Sequence, residues 1–269
     1  MCNLLNAEDK VFEKIDLLDT EDKAMELDCR WRDAREYHDF CCDGVLSPNL
    51  NTYFKNSEKP RILFLLKEAP LGQFPEGWNC GLNAPEDCHL MKVRRMKLTS
   101  SSPGTSRRFW PTIALRTYVI NSFWKGEEPS WEYVCNFSKI ENADTIHGYP
   151  LENIAYVNIK KANGVNGSND RNLANYCRED QNFLKEQITR LAPQIIVCSG
   201  VHSLYQQYLT DGIDGAFGNN SCRFDKSRNC LVFSTYHPAF WRVKHKINYN
   251  LIVRSCKDAA EEKYWEKIL

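Results

Sequence analysis

The chain has 269 residues, 42% of them hydrophobic, and its 35 basic side chains equal its 35 acidic side chains in number. This composition excludes a disordered chain and is sufficient for one domain with a sizeable core. Because the formal net charge is zero, a nucleic-acid partner would have to meet a local basic patch. No apolar run approaches the roughly 20 residues that cross a membrane, and the first residues lack the pattern of a signal peptide. We therefore expect a cytoplasmic protein that has no membrane partner.

The twelve cysteines are scattered along the chain without any C-x-x-C pair. Several lie in apolar stretches, where a free thiol behaves as a small hydrophobic side chain. We expect reduced structural thiols, as in a reducing cytosol. A zinc site at Cys80, Cys88 and His89 is the less favoured interpretation, because their spacing does not fit a common zinc finger. The sequence thus predicts neither a metal site nor a cofactor.

Residues 1–58 form the first predicted unit. Their charged composition and the helical spacing of Val11, Ile15 and Leu18 predict a helical N-terminal extension that packs on the rest of the chain. We expect residues 59–269 to form a single α/β domain, because no internal repeat or long linker interrupts them.

Four short apolar runs in the second unit are typical of strands that are buried on both faces. They are residues 61–66, 154–159, 194–200 and 230–234. Helical patterns occur between and after them, from Pro111 to about Trp124, over 173–191, near Val201 and from about Asn248 onwards. This alternation predicts a three-layer α/β/α sandwich around a central, mainly parallel four-stranded sheet.

Polar residues follow these predicted strands. Because crossovers are right-handed, the loops after parallel strands meet at one edge of the sheet. The sequence puts a carboxylate (Glu68), an amide (Asn158), a glycine turn (Gly200) and a histidine before proline (His237) at that edge. An amide can bind the edge of a pyrimidine, and a glycine turn at a helix start can donate to a phosphate. A histidine can stabilise an oxygen that gains negative charge, and a carboxylate can orient water, so the set fits hydrolysis of a nucleoside bond.

Four motifs occur in a fixed order along the chain. They are Lys-Glu-Ala-Pro-Leu at 67–71, the strand with Asn158 followed by two lysines, Ser-Gly-Val at 199–201, and Thr-Tyr-His-Pro-Ala-Phe at 235–240. The ordered set resembles the uracil-DNA glycosylase superfamily, especially its bacterial and archaeal family-4 and family-5 type. The resemblance covers residues 60–72 and 105–260, and it implies a DNA glycosylase with DNA as its partner. Nothing in the sequence indicates an obligate protein partner.

The resemblance implies a role for each matching position. Glu68 would position the hydrolytic water, and His237 would stabilise the charge on the leaving base. The residues expected at the flipped base are Asn158, Phe109, Trp110, Ala69 and Leu71. Those expected to contact the DNA are Lys161, Ser199, Gly200, the wedge residue Phe240 and Arg242, to which the basic stretch 92–97 adds Arg94 and Arg95.

Some positions depart from the family pattern. Lys67 occurs where the family usually has glycine, residues 73–108 are inserted beside the predicted base pocket, and the cysteines of an iron–sulfur cluster are missing. The altered first motif and the insertion favour a bulky modified pyrimidine, such as glucosylated hydroxymethylcytosine in phage DNA, and hence antiviral defence. Uracil in base excision repair is the competing substrate. Beyond glycosylases, the sequence is also compatible with a catalytically inactive nucleic-acid-binding module on the same fold and with a hydrolase of free nucleosides, against which the basic stretch argues.

Overall fold

The computed structural model describes residues 16–35, 40–47, 49–68, 106–135, 151–162, 169–213, 222–240 and 242–268. The strands in these ranges are β1 (Gly44–Val45), β2 (Ile62–Glu68), β3 (Ile154–Lys160), β4 (Ile195–Ser199), β5 (Cys222–Asp225) and β6 (Cys230–Thr235). They form one sheet with the strand order β1-β3-β2-β4-β6-β5.

The four strands predicted from the apolar runs form the parallel centre of this sheet. β2 pairs with β3 and β4, and β4 pairs with β6, all in parallel. The α/β prediction is confirmed, but the prediction of four strands is wrong, because β1 and β5 add antiparallel edges. Both strands are too short to carry an apolar pattern, and β1 lies within the segment predicted to be a helical extension.

The helices of the described ranges lie between and after these strands. They are α1 (Glu21–Arg35), α2 (Leu50–Phe54), α3 (Ser106–Trp124), α4 (Trp131–Val134), α5 (Asp170–Glu179), α6 (Gln181–Leu191), α7 (His202–Leu204), α8 (His245–Glu261) and α9 (Trp265–Ile268). A π-helical turn (Tyr205–Leu209) continues α7. None of these helices combines the length and the apolar character that crossing a membrane requires.

Three boundaries differ from the sequence prediction. α3 begins at Ser106, so Pro111 lies inside the helix rather than at its start. The helix predicted over 173–191 is two helices, because the chain breaks at Asp180, whose buried carboxylate lies 2.9 Å from Arg35 Nε on α1. β2 extends through Glu68, so this carboxylate is the last residue of a strand and not part of a loop.

The sheet separates two hydrophobic cores, as successive side chains of each inner strand point to opposite faces. Ile62 and Phe64 pack with side chains of α3 and α8, and we call this side the α3/α8 face. Leu63 and Leu65 pack with side chains of α1 and α6 on the opposite side, the α1/α6 face. Each fully buried apolar side chain contributes about 1.5–3 kcal/mol. The structure is therefore a three-layer α/β/α sandwich.

The direction of the crossovers indicates where a ligand-binding crevice is expected. The helix after β2, α3, packs on the α3/α8 face, whereas the helices after β3 and β4 contribute to the core on the α1/α6 face. In open parallel sheets, ligands bind outside the carboxyl ends of strands where the crossovers change face. This rule selects the carboxyl end of β2, where Glu68 lies.

Candidate active site at the carboxyl edge of the sheet

Glu68 ends β2 and has the same side-chain direction as Phe64 and Leu66, towards the α3/α8 face. Its partner in the neighbouring strand is Lys160, whose Nζ lies 3.4 Å from Glu68 Oε2. The same ammonium lies 5.2 Å from the centroid of the Tyr176 ring. Because the Glu68 and Lys160 side chains are only 12% and 10% exposed, this partly buried ion pair fixes the direction of the carboxylate.

Asn158 lies on β3 opposite Leu66 and two residues before Lys160. The two-residue period of a strand therefore puts its side chain on the same face as that of Glu68. The residue is buried, with 3% of its surface exposed. Its backbone N–H donates to Asp43 Oδ2 at 2.7 Å, so a carboxylate just before β1 supports the strand where the amide is carried.

His237 lies two residues after the end of β6. Its Nδ1 accepts a hydrogen bond from the backbone N–H of Ala239 at 3.3 Å, so the proton of the neutral ring is assigned to Nε2. Burial, followed by the positive charges of Arg116 and Lys67, lowers the pKa of His237 to about 4. At neutral pH the ring is therefore an uncharged imidazole that can donate one hydrogen bond through Nε2.

The two aromatic residues that begin α3 differ in their surroundings. Phe109 is partly buried, and its ring centroid lies 5.9 Å from that of His237. Trp110 is 5% exposed and packs edge-on against Tyr156 within the core. The structure contradicts a base-stacking role for Trp110, because its ring is enclosed by core side chains. Phe109 is the aromatic residue that borders the histidine.

Gly200 forms the turn after β4 with a φ of +77°, a conformation that favours glycine. Its N–H donates to the carbonyl of Thr235 at 2.7 Å. This N–H is therefore used inside the protein, while Gly200 itself is exposed, so the predicted DNA contact at this turn stays a prediction and would need other donors. The turn instead brings the end of β4 against His237 and Lys67, since a Cβ at position 200 would lie 3.5 Å from both His237 N and Lys67 Cε.

Two further residues that were predicted to hold phosphates are buried. Lys161 is fully enclosed, where its ammonium pairs with Asp43, donates to Gln187 at 2.9 Å and lies 4.8 Å from the centroid of the Trp31 ring. Ser199 is also fully buried, and its hydroxyl accepts from Arg116 Nη1 at 3.3 Å. The structure contradicts a DNA contact by either side chain, because neither reaches the surface.

A surface beside the His237 loop has the character expected of a nucleic-acid interface. Tyr236 and Phe240 are 48% and 40% exposed, and their rings stack with centroids 6.0 Å apart. Arg242, Lys244 and Lys246 follow as exposed residues at the start of α8. We call these five residues the aromatic–basic surface. It contains Phe240 and Arg242, two of the predicted DNA contacts, and both are exposed, as Gly200 is.

The remaining predicted positions, Ala69, Leu71, Arg94 and Arg95, lie outside the described residues, as do the zinc candidates Cys80, Cys88 and His89. The nine described cysteines are free thiols. Burial and the charge of Asp180 raise the pKa of Cys177 to about 12, so this thiol stays protonated. Within the part of the chain that the structure describes, no group of three His, Cys, Asp or Glu side chains is arranged to hold a metal ion.

Sequence reasoning missed three residues of this site. Lys160 could have been found, because strand periodicity puts Lys160, and not Lys161, on the face of Asn158. Tyr236 lies within the last of the four motifs, but its exposure has no sequence signal. Arg116 carries no signal either, because an arginine in a helix is usually exposed to solvent.

No protein-family model matches this chain, and no curated protein matches it. The resemblance to the uracil-DNA glycosylase superfamily therefore rests on the motif residues themselves and on their positions at the edge of the sheet.

Proposed function

We propose that this chain is a DNA glycosylase that hydrolyses the N-glycosidic bond of a flipped-out pyrimidine and leaves an abasic site. The observation that supports this proposal is the gathering of Glu68, Asn158 and His237 at one edge of the sheet. Glu68 on β2 and His237 after β6 are separated by β4, which corresponds to two strand spacings, or about 10 Å. That interval leaves room for a nucleoside between the carboxylate and the histidine.

Each residue has a task that its surroundings suit. Glu68, held by Lys160, orients the attacking water and stabilises the positive charge that develops on the sugar. Asn158 hydrogen-bonds the edge of the base, while Phe109 stacks beside it. His237 donates from Nε2 to the pyrimidine oxygen as negative charge moves onto the leaving base. A fixed donor of this kind contributes roughly a hundredfold or more to the rate.

The aromatic–basic surface supplies the binding of DNA. Exposed aromatic rings stack on bases, and stacking contributes about 1–3 kcal/mol per base. The neighbouring cations of Arg242, Lys244 and Lys246 neutralise phosphates and release counterions. Because the whole chain has no net charge, this local concentration of positive charge is what would direct it to DNA.

The favoured base is a bulky modified pyrimidine, and the cytoplasm is the expected site of action. Lys67 occupies the family's glycine position and pairs with the exposed Asp170 at 3.0 Å, and its Cε would lie 3.5 Å from a Cβ at position 200. A lysine–aspartate pair at the edge of the site offers donors and acceptors to the hydroxyl groups of a sugar on the base. Uracil carries no such sugar.

The direct test is an abasic-site assay on two DNAs, one containing uracil and one containing glucosylated hydroxymethylcytosine. We expect abasic sites in the modified DNA and a loss of activity in Glu68→Gln and in His237→Gln. Glu152→Gln is the matched control, because Glu152 forms a similar pair with Lys59 (3.5 Å) near the opposite end of β3. Release of uracil with no action on modified DNA would overturn the proposal that the substrate is a modified pyrimidine.

A second candidate is a nucleic-acid-binding module without catalysis. The aromatic–basic surface favours it, because stacking and phosphate contacts do not need Glu68 or His237. This candidate would be preferred over the glycosylase if the protein bound DNA in a salt-dependent way but formed no abasic sites on any substrate. DNA binding would then also be unchanged in the Glu68→Gln variant.

A further inference from the structure

Arg116 is a fully buried cation in the middle of α3. Its guanidinium donates from Nη1 to Ser199 Oγ at 3.3 Å, and from Nη2 to the carbonyl of Tyr236 at 2.8 Å and to Asn248 Oδ1 at 2.5 Å. These acceptors belong to the end of β4, the loop that carries His237 and the first turn of α8. One side chain therefore joins three separate elements directly beneath the proposed catalytic histidine.

The charge of Arg116 is not balanced by its surroundings. All three acceptors are uncharged oxygens, and no described carboxylate lies within ion-pair distance. Its Nε is buried and has no hydrogen-bond partner within the described ranges. Burial lowers the pKa of Arg116 to about 9, which still leaves the group charged at neutral pH. Burying a cation without a counter-ion is costly, so a purely structural role would be served better by a neutral side chain.

The surroundings of His237 show where this charge acts. Arg116 on α3 and Lys67 on β2 are the charged groups that influence the imidazole, and both are positive. Among the described residues, the Phe109 ring, Gly200 and the N–H of Ala239 are uncharged neighbours of the ring. Positive charges beside an imidazole oppose its protonation, and they stabilise an anion that forms next to it.

We propose that Arg116 is a positioning residue for His237: its bond to the Tyr236 carbonyl fixes the loop, and its charge adds to burial in opposing protonation of the imidazole. The second consequence, stabilisation of the anionic leaving base, rests on the proposed glycosylase function. The first does not, because it concerns the protein alone.

The test compares Arg116→Gln, which removes the charge, with Arg116→Lys, which keeps it. The His237 ring is titrated by NMR in protein labelled with 15N-histidine, without DNA, and its signals are assigned by their loss in His237→Gln. We expect the pKa of His237 to rise by about one unit or more in Arg116→Gln and to stay low in Arg116→Lys. Ser199→Ala is the control, since it removes one hydrogen bond of Arg116 and no charge.

An unchanged titration of His237 in Arg116→Gln would overturn the proposal, and so would an equal rise in both Arg116 variants. Arg116→Met serves the same measurement if the glutamine variant does not fold. On the DNA that the wild type cleaves, we expect Arg116→Lys to lower kcat roughly tenfold through misplacement of the loop. Its KM should be unchanged, because a fully buried side chain does not touch DNA. Absence of cleavage by the wild type would refute the glycosylase, whereas the NMR result would still decide the role of Arg116.

Discussion

Lys160 and Lys161 are adjacent in the chain, yet they serve opposite faces of the sheet. Lys160 reaches the α3/α8 face and pairs with Glu68 at the mouth of the candidate site. Lys161 reaches the α1/α6 face, where it and Asp43 are completely enclosed. Two consecutive lysines at the end of a strand can therefore have unrelated roles, because successive side chains of a strand point to opposite faces of the sheet.

The two faces also differ in how charge is balanced. On the α1/α6 face, the Asp43 carboxylate accepts from Lys161, from Gln187 Nε2 at 3.0 Å and from the Asn158 backbone. On the α3/α8 face, Arg116 is buried with neutral partners. A balanced network favours stability, whereas unbalanced positive charge beside a cleft favours the binding of an anion.

The largest effect is expected from breaking the balanced pair. Asp43→Ala leaves the Lys161 ammonium buried without a counter-ion, which should lower the free energy of unfolding by about 3–5 kcal/mol. Urea unfolding measures this change. The double variant Asp43→Leu with Lys161→Met is the control, and it should recover much of the loss, because neither residue then carries a charge. A loss below about 1 kcal/mol in Asp43→Ala would contradict the importance of this network.

On the α3/α8 face, we expect the free energy of unfolding to depend on pH through His237. Because the pKa of His237 is lowered from 6.5 to about 4, the unfolded chain binds a proton there more readily than the folded chain. The resulting stability is complete above pH 6.5 and is lost as the pH falls towards 4. Between about pH 7.5 and about pH 4, the wild type should lose about 3 kcal/mol more than His237→Gln. Parallel losses in the two proteins would show that the ring is not held neutral.

Glu68→Gln tests whether the carboxylate on the α3/α8 face is needed for activity rather than for stability. The variant keeps the shape of the side chain but removes the carboxylate that orients water, so cleavage should fall about a hundredfold or more. The free energy of unfolding should fall by less than in Asp43→Ala, because the Glu68–Lys160 pair is partly exposed whereas the Asp43–Lys161 pair is fully buried. Abasic-site counts and urea unfolding are measured on the same preparation. A large loss of stability with full activity would contradict a catalytic role for Glu68 and would instead give its ion pair a structural role.

The smallest effect is expected for Lys160→Met, which leaves Glu68 in place without its partner. We expect cleavage to fall roughly tenfold, equivalent to about 1.4 kcal/mol. The matched control is Lys59→Met, which breaks the Lys59–Glu152 pair near the other end of β3 and should leave cleavage unchanged. Equal activity of Lys160→Met and the wild type would show that Glu68 needs no support.

The central strands were predictable from sequence, because runs such as residues 61–66 are continuous, apolar and bounded by polar turns. β1 was not, because two residues carry no periodicity and its place is set by pairing with β3. The positions of Glu68, Asn158 and His237 followed from the strand ends. The fate of Lys161, Ser199 and Arg116 could not be predicted, because burial of a polar side chain depends on which partners the tertiary fold brings to it.

The hydrogen bond from Asn158 N–H to Asp43 has a practical consequence for shortening this protein. A truncation at residue 59 would match the boundary that the sequence suggests, but it would delete Asp43, β1 and α1 together. Lys161 would lose its counter-ion, and the strand that carries Asn158 would lose its outer neighbour. A shortened chain should therefore begin well before β1, because the segment before β2 is part of the domain.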